Sequence, residues 1–282
     1  MLSPFLSFFA AGSGPAVHLT QAPVFQVGPI VISNVMLYGW LSIIFLLIGL
    51  SFAARKITIH PKGGIIQIIE VVAEFIRGTV EGAFEDKSKV NKYMPYFVSL
   101  FFFILTVNWL GLLPITREAF EAHGNALFKP WTASFNSTLA MAVVTMGFVY
   151  TMTLREMGFK QFVRHFFVGN PKNPLFFFIG LIEMVSDSIR VVSLSLRLFL
   201  NVAIGEIMIA VFAYLGGVIA PVAALPFFLM EMFVLALQAY IFVILAIMYL
   251  AVAVNEASRH EAEHAADLTE DDKPEKIKAE TA

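Results

Sequence analysis

The sequence predicts an all-α polytopic membrane protein: about five transmembrane helices plus one interfacial amphipathic helix, the last two spans long, tilted and forming a hairpin. Three observations carry this prediction. Of 282 residues, 58% are hydrophobic and 14% are charged, whereas soluble domains run nearer half apolar and about a quarter charged. The apolar residues gather into runs of at least the roughly 20 residues a bilayer requires. The basic residues concentrate in segments that join these runs on one side, as they do in cytoplasmic loops.

Residues 1–33 mix Gly, Pro and short apolar clusters, and read as an extramembrane N-terminal segment with some helix. The first 30 contain no Lys or Arg, so they lack the basic region of a signal peptide and the arginines of a transit peptide; a mature N-terminus is expected. The membrane domain covers 34–256. Its first span is about 35–53, closed by Arg55-Lys56. In 64–82, Gln67, Glu70, Glu74, Arg77 and Glu81 recur every three or four residues among isoleucines and valines, the pattern of an amphipathic helix lying in the interface. A helix packed on a soluble partner is the alternative. The second span, about 96–113, carries Asn108, and the third is about 133–153. A basic loop follows, with Arg155, Lys160, Arg164 and Lys172, and ends in the breaker cluster Asn170-Pro171-Lys172-Asn173-Pro174.

From 175 to 215 there is no proline and little turn chemistry. A helix of that length is about 60 Å long, twice the hydrocarbon thickness, so it must tilt or kink, with Gly205 the natural hinge. Gly216-Gly217 through Pro221 and Pro226 supplies a turn, and a second long apolar run, 227–255, returns. The hydrophilic tail, 257–282, has no apolar period and reads as disordered beyond its first turns. Arg55, Lys56, Lys62, Arg77, Lys87, Lys89, Lys92 and the four cations of the basic loop fall on one side, against Arg117 and Lys129 on the other. Five crossings then place the N-terminus outside and the tail in the cytoplasm.

Function classes narrow quickly. There are no cysteines, hence no disulfide or thiol chemistry. A net charge of -2 without basic clustering gives no sign of a nucleic-acid partner. No phosphate-binding loop or cofactor motif is present, so ATP hydrolysis by this chain is not expected, and no metal or cofactor is called for. What the sequence does carry is Leu194-Ser195-Leu196-Arg197-Leu198-Phe199-Leu200-Asn201, in which Arg197 is the sole charge between Arg190 and Glu206. A guanidinium stays protonated and costs several kcal/mol or more at bilayer depth, so the chain must give it protein, water or a counter-charge.

At ~100° per residue, Glu183, Asp187, Arg190, Arg197 and Asn201 fall within about 40° of Glu183, forming one polar stripe. Glu206 lies on another face. On the returning helix Glu231, Gln238, Tyr249 and Glu256 share a face in the same way. Counted from the turn, Glu206 and Glu231 sit at one depth, Glu183 and Asp187 at another, and Arg197 between. Two water-accessible half-paths that do not meet is the functional reading. Against it stand simple neutralisation of Arg190 by Asp187, interhelical hydrogen bonding by Asn201 and Gln238, and serines bonded to backbone carbonyls, the favoured reading for Ser186, Ser193 and Ser195.

Leu196-Arg197-Leu198-Phe199-x-Asn201 with Gly205-Glu206, then Leu237-Gln238-Ala239-Tyr240-Ile241-Phe242, closely resembles subunit a of F-type ATP synthases. Asn108-x-x-Gly111-Leu112-x-Pro114 and the amphipathic helix before it resemble the same family's earlier segments, and the likeness runs from about 35 to 256. The resemblance implies a membrane stator beside a rotating ring of c subunits, held with the peripheral-stalk b subunits in a bacterial inner membrane or, failing that, an organelle's. It implies that Arg197 faces the ring's carboxylate and separates the half-channels. Glu206, Asn201, Glu231 and Gln238 would line the outer one, and Glu183, Ser186 and Asp187 the inner. Leu200 stands where a small residue is common, and Glu231 where some members have histidine. Two competing readings remain: a stand-alone ion-coupled transporter or channel with Arg197 as counter-charge, and a zinc-protease pattern in His260-Glu261-Ala262-Glu263-His264, which lacks an apolar wall or a third ligand.

Overall fold

The computed structural model describes residues 23–27, 30–56, 64–113, 121–122, 125–126, 129–158 and 174–271. Among these, six α-helices make the fold: α1 (Asn34–Lys56), α2 (Gly64–Ala83), α3 (Lys87–Leu112), α4 (Phe135–Met157), α5 (Pro174–Gly216) and α6 (Ala220–Asp271). All except α2 contain a window long and apolar enough to cross a membrane. The protein is an all-α polytopic membrane protein.

The chain enters through an antiparallel hairpin, β1 (Pro23–Val27) and β2 (Ile30–Ser33), with Val27 opposite Ile30. Any helix expected earlier in residues 1–33 lies outside the described residues. Val24, Phe25, Val27, Ile30, Val31 and Ile32 favour strand, and Gly28-Pro29 between them breaks any helix. In α1 the apolar residues Leu41, Ile44, Phe45, Leu47 and Ile48 stay exposed, as a lipid-facing helix requires. In α2 the stripe divides as its period demands. Ile76 and Val80 are buried, Arg77 pairs with Glu81 at 2.8 Å on the exposed side, and Phe75 meets Tyr240 of α6 at 5.1 Å.

The second span starts earlier than its apolar window, at Lys87. Asp86 caps α3 by accepting from the Ser88 amide at 2.9 Å and from its hydroxyl at 2.7 Å, and the cap lets the helix nucleate in polar sequence. After a short hairpin of β3 (Glu121–Ala122) and β4 (Asn125–Ala126), Pro130 and the 3-10 turn Trp131–Ala133 wedge among α1, α3, α4 and α5. A Cβ added to Gly39 would sit 3.3 Å from the Trp131 ring, and one on Gly111 would sit 3.0 Å from Pro130.

The hairpin of α5 and α6 differs from expectation in three ways. Its turn is only Gly217–Ile219, and Gly217 takes a positive φ of 48° that a side chain would resist. Pro221 falls in the first turn of α6, where no amide hydrogen is missed, and Pro226 lies inside the helix, which membrane helices tolerate. Helix α5 runs through Gly205 without interruption. At the other end α6 continues to Asp271, four turns into the tail read as disordered. Alanine and glutamate are strong helix formers, and extending an existing helix avoids the nucleation cost. α6 is the hub: it packs on α2, α3, α4 and α5, burying Leu235, Phe242, Ile247 and Leu250.

Candidate functional site

The pairing of α5 with α6 can be followed layer by layer from the turn. Phe212 stacks on Phe227, ring centroids 3.5 Å apart. Next, Gly205 lies against the carboxyl group of Glu231, which occupies the space a side chain at 205 would take. Glycine here permits a close approach. One step along, Asn201 donates to Gln238 Oε1 at 2.9 Å. Farthest from the turn, the Arg190 guanidinium lies 4.8 Å over the Tyr249 ring and binds Asp187 at 2.7 Å. Residues that share a stripe in the sequence of each helix therefore meet across the hairpin.

Two carboxyl groups are buried in the layer below the phenylalanine pair. Glu206 and Glu231 are 6% and 5% exposed. The Asn201–Gln238 bond lies just below, with Gln238 2% exposed. Arg197, one turn of α5 further, points the other way. It is exposed, and among the described residues it makes no ion pair or hydrogen bond. A groove of about 570 Å³ runs beside it along Val185, Ile189, Val192 and Leu196. Leu194 and Leu198, on the opposite side of the same helix, are buried in the core. Exposed Leu200, Ile204 and Ile207 continue the apolar face past Arg197, and Leu229, Phe233 and Leu237 extend it onto α6.

On the far side of Arg197, Ser186 is exposed and Asp187 is engaged with Arg190. The side chains of Glu183 and Glu256 lie outside the described residues, as do those of His260 and His264. Ser195 donates to the Val192 carbonyl at 2.9 Å, a backbone bond and not an opening.

Sequence reasoning passed over two residues. Asn108, 2% exposed, has neither amide atom hydrogen-bonded among the described residues, and the buried Thr132 hydroxyl likewise has no partner. Their neighbours in sequence reach the hairpin. Trp109 donates to the Met232 carbonyl at 3.1 Å, beside Glu231, and Ala133 packs on Val202 and Leu235. An asparagine in an apolar span was the available signal. For Thr132 there was none, because it sits in a loop.

These features define a class: a polytopic membrane protein with buried carboxylates and an exposed arginine, unpaired among the described residues, on the apolar face of a helical hairpin. The comparisons with known proteins narrow it. The family model described as ATP synthase A chain matches residues 36–251. A protein named ATP synthase subunit a from Moorella thermoacetica is 30% identical over 234 residues, 83% of this chain and 96% of that one. Its counterpart in Geobacter sulfurreducens is 32% identical over 256 residues, covering 90% and 97%. One from Anaeromyxobacter sp. is 30% identical over 237 residues, and there the match spans only 54% of the relative. The chain belongs to the ATP synthase A chain family.

Proposed function

We propose that this chain is the stator subunit a of an F-type ATP synthase membrane sector, carrying protons to and from a rotating c-ring through two offset half-channels. Glu206, Glu231, Asn201 and Gln238 form the outer half-channel, and Asn108 and Thr132 extend its wall, since buried polar groups without partners are sites for water. Glu183, Ser186 and Asp187 form the inner one. The apolar face of α5 and α6 seats the ring, and the peripheral-stalk b subunits hold the chain against it. The membrane is a bacterial inner membrane, with the N-terminus outside and the C-terminus cytoplasmic by the distribution of basic residues.

The observation that carries this reading is the position of Arg197: exposed, without a partner among the described residues, between the buried carboxylates and the Asp187–Arg190 pair. A fixed cation there repels a proton passing directly between the half-channels and attracts a deprotonated carboxylate arriving on the ring. A proton falling through 100 mV releases about 2.3 kcal/mol, and that energy turns the ring only if the direct route is closed. Lysine keeps the charge but loses the planar, multi-donor fork. The test is ATP-driven proton pumping in inverted vesicles carrying Arg197→Ala, with assembly of the complex measured in parallel. Pumping is expected to vanish from an assembled complex; undiminished pumping would overturn the role given to Arg197.

A further inference from the structure

A second groove lies between α3 and α4, apart from both half-channels. Its cavity of about 360 Å³ is lined by Tyr96, Leu100, Phe103, Trp131, Met141 and Val144. Its polar atoms are few: the Ser99 hydroxyl donates to the Pro95 carbonyl, and Thr145 is 1% exposed. A polar ligand would lose its water there for few partners, whereas an alkyl chain loses nothing on entry.

Charge gathers at one end of this groove. Lys92, Tyr96, Ser99 and Phe103 follow one face of α3 by helical spacing, and Val144, Phe148 and Arg155 follow one face of α4. Tyr96 and Phe148 stack across the gap with centroids 3.5 Å apart, so the two faces meet. Lys92 is 53% exposed, although it shares Glu156 with Lys89. Arg155, in the last turn of α4, is exposed and makes no ion pair among the described residues. Lys89 and Lys92 thus share the Glu156 carboxylate, with Asp86 close enough to act on Lys89, while Arg155 on the facing helix is left without a counter-ion among the described residues. From Lys92 to Phe103 the helix rises about 16 Å, close to the ~15 Å depth of one leaflet.

We propose that this groove binds an anionic phospholipid, with its phosphate between Lys92 and Arg155 and one acyl chain laid along Tyr96, Leu100 and Phe103. Basic pockets between transmembrane helices recognise such headgroups, and the apolar lining leaves the cavity itself to hydrocarbon. The lipid fills a seam between two helices that protein leaves open.

Trp131 at the far end of the groove reports on its occupant. The full chain is reconstituted in phosphatidylcholine vesicles containing a minority of phosphatidylglycerol, with bromine on the acyl chains of one lipid or the other. Subtracting the signal of Trp131→Phe isolates quenching at Trp131. Brominated phosphatidylglycerol is expected to quench out of proportion to its abundance, and that preference should fall about fivefold for each of Lys92→Ala and Arg155→Ala. Lys92→Arg and Arg155→Lys should keep it, as should Arg55→Ala on α1. Equal quenching by the two lipids, or a preference indifferent to Lys92 and Arg155, overturns the proposal. So does a preference present in the free chain and absent from the assembled complex, which would give the groove to a partner's helix.

Discussion

At the scale of single residues, the closest fit in the hairpin is Gly205 against Glu231. Any side chain at 205 enters the space of that carboxyl group, and the buried surroundings of Glu231 leave it little room to retreat. Gly205→Ala should therefore leave the complex assembled but cut proton pumping roughly tenfold or more, the order that ångström-scale displacement costs a positioned group. Shortening the partner tests the geometry: Gly205→Ala combined with Glu231→Asp should recover part of the loss, giving a coupling that separate effects cannot produce. Additive losses would show that the contact is not what matters. The Asn201–Gln238 bond calls for a different expectation. Interhelical hydrogen bonds in membranes contribute about 0.6 kcal/mol on average, so Gln238→Leu should lower the thermal midpoint of the detergent-solubilised protein only slightly. A large drop in stability would assign that bond to holding the hairpin together.

At the scale of elements, the helices that announce themselves in the sequence are those whose pattern is local. The stripe of α2 and the polar faces of α5 and α6 were legible because helical period alone sorts their residues. Other features were not, because their causes lie outside the window being read. Pro226 looked like part of a turn until the three-residue Gly217–Ile219 link proved sufficient, and Gly205 looked like a hinge because its reason for being glycine is on another helix. The start of α3 depended on a cap that composition conceals. Asp86 accepts two bonds from Ser88, which hold its carboxyl below the ordinary carboxylate range. A depressed folded-state value means that the contribution is complete above the unfolded value of about 3.9 and is lost as pH falls through the folded one. Thermal melts of detergent-solubilised protein at descending pH should show Asp86→Ala less stable than the native chain at neutral pH, with the gap closing in acid. A gap that persists unchanged at the lowest pH would mean the cap acts by something other than its charge. At the same end of the bundle, Glu156 takes Lys89 at 3.3 Å, Lys92, and the Tyr93 hydroxyl at 2.6 Å. Asn255 meanwhile donates to the Ala83 carbonyl at 3.0 Å. Glu156→Gln should cost about 1–3 kcal/mol, read as a lower denaturation midpoint.

At the scale of the whole molecule, helix length dictates posture. The apolar window of α1 has 19 residues, about 29 Å at 1.5 Å per residue, and fits a hydrocarbon core of about 30 Å nearly upright. The windows of α5 and α6 have 32 and 36 residues, about 48 and 54 Å, and a straight helix of that length stays within the core only when tilted by roughly 50°. Membrane helices average a tilt of about 20°, so such a hairpin is unusual, and a tilt of that size has a consequence for Arg197. Measured from Gly216, that residue is about 28 Å along α5; upright, it would reach the opposite interface and cost little. Tilted by about 50°, it sits about 18 Å deep, near the midplane, where a cation is expensive and where the barrier between the two proposed half-channels would stand. The carboxylate layer at Gly205 and Glu206 comes out about 10 Å deep, on the side of the turn. Oriented-sample solid-state NMR of the amides of α5 in aligned bilayers measures this directly. A tilt near 50° for α5 beside a steeper, near-normal α1 is expected. A tilt of 20° or less for α5 would place Arg197 at the interface and remove the physical reason for a cation to divide the two paths.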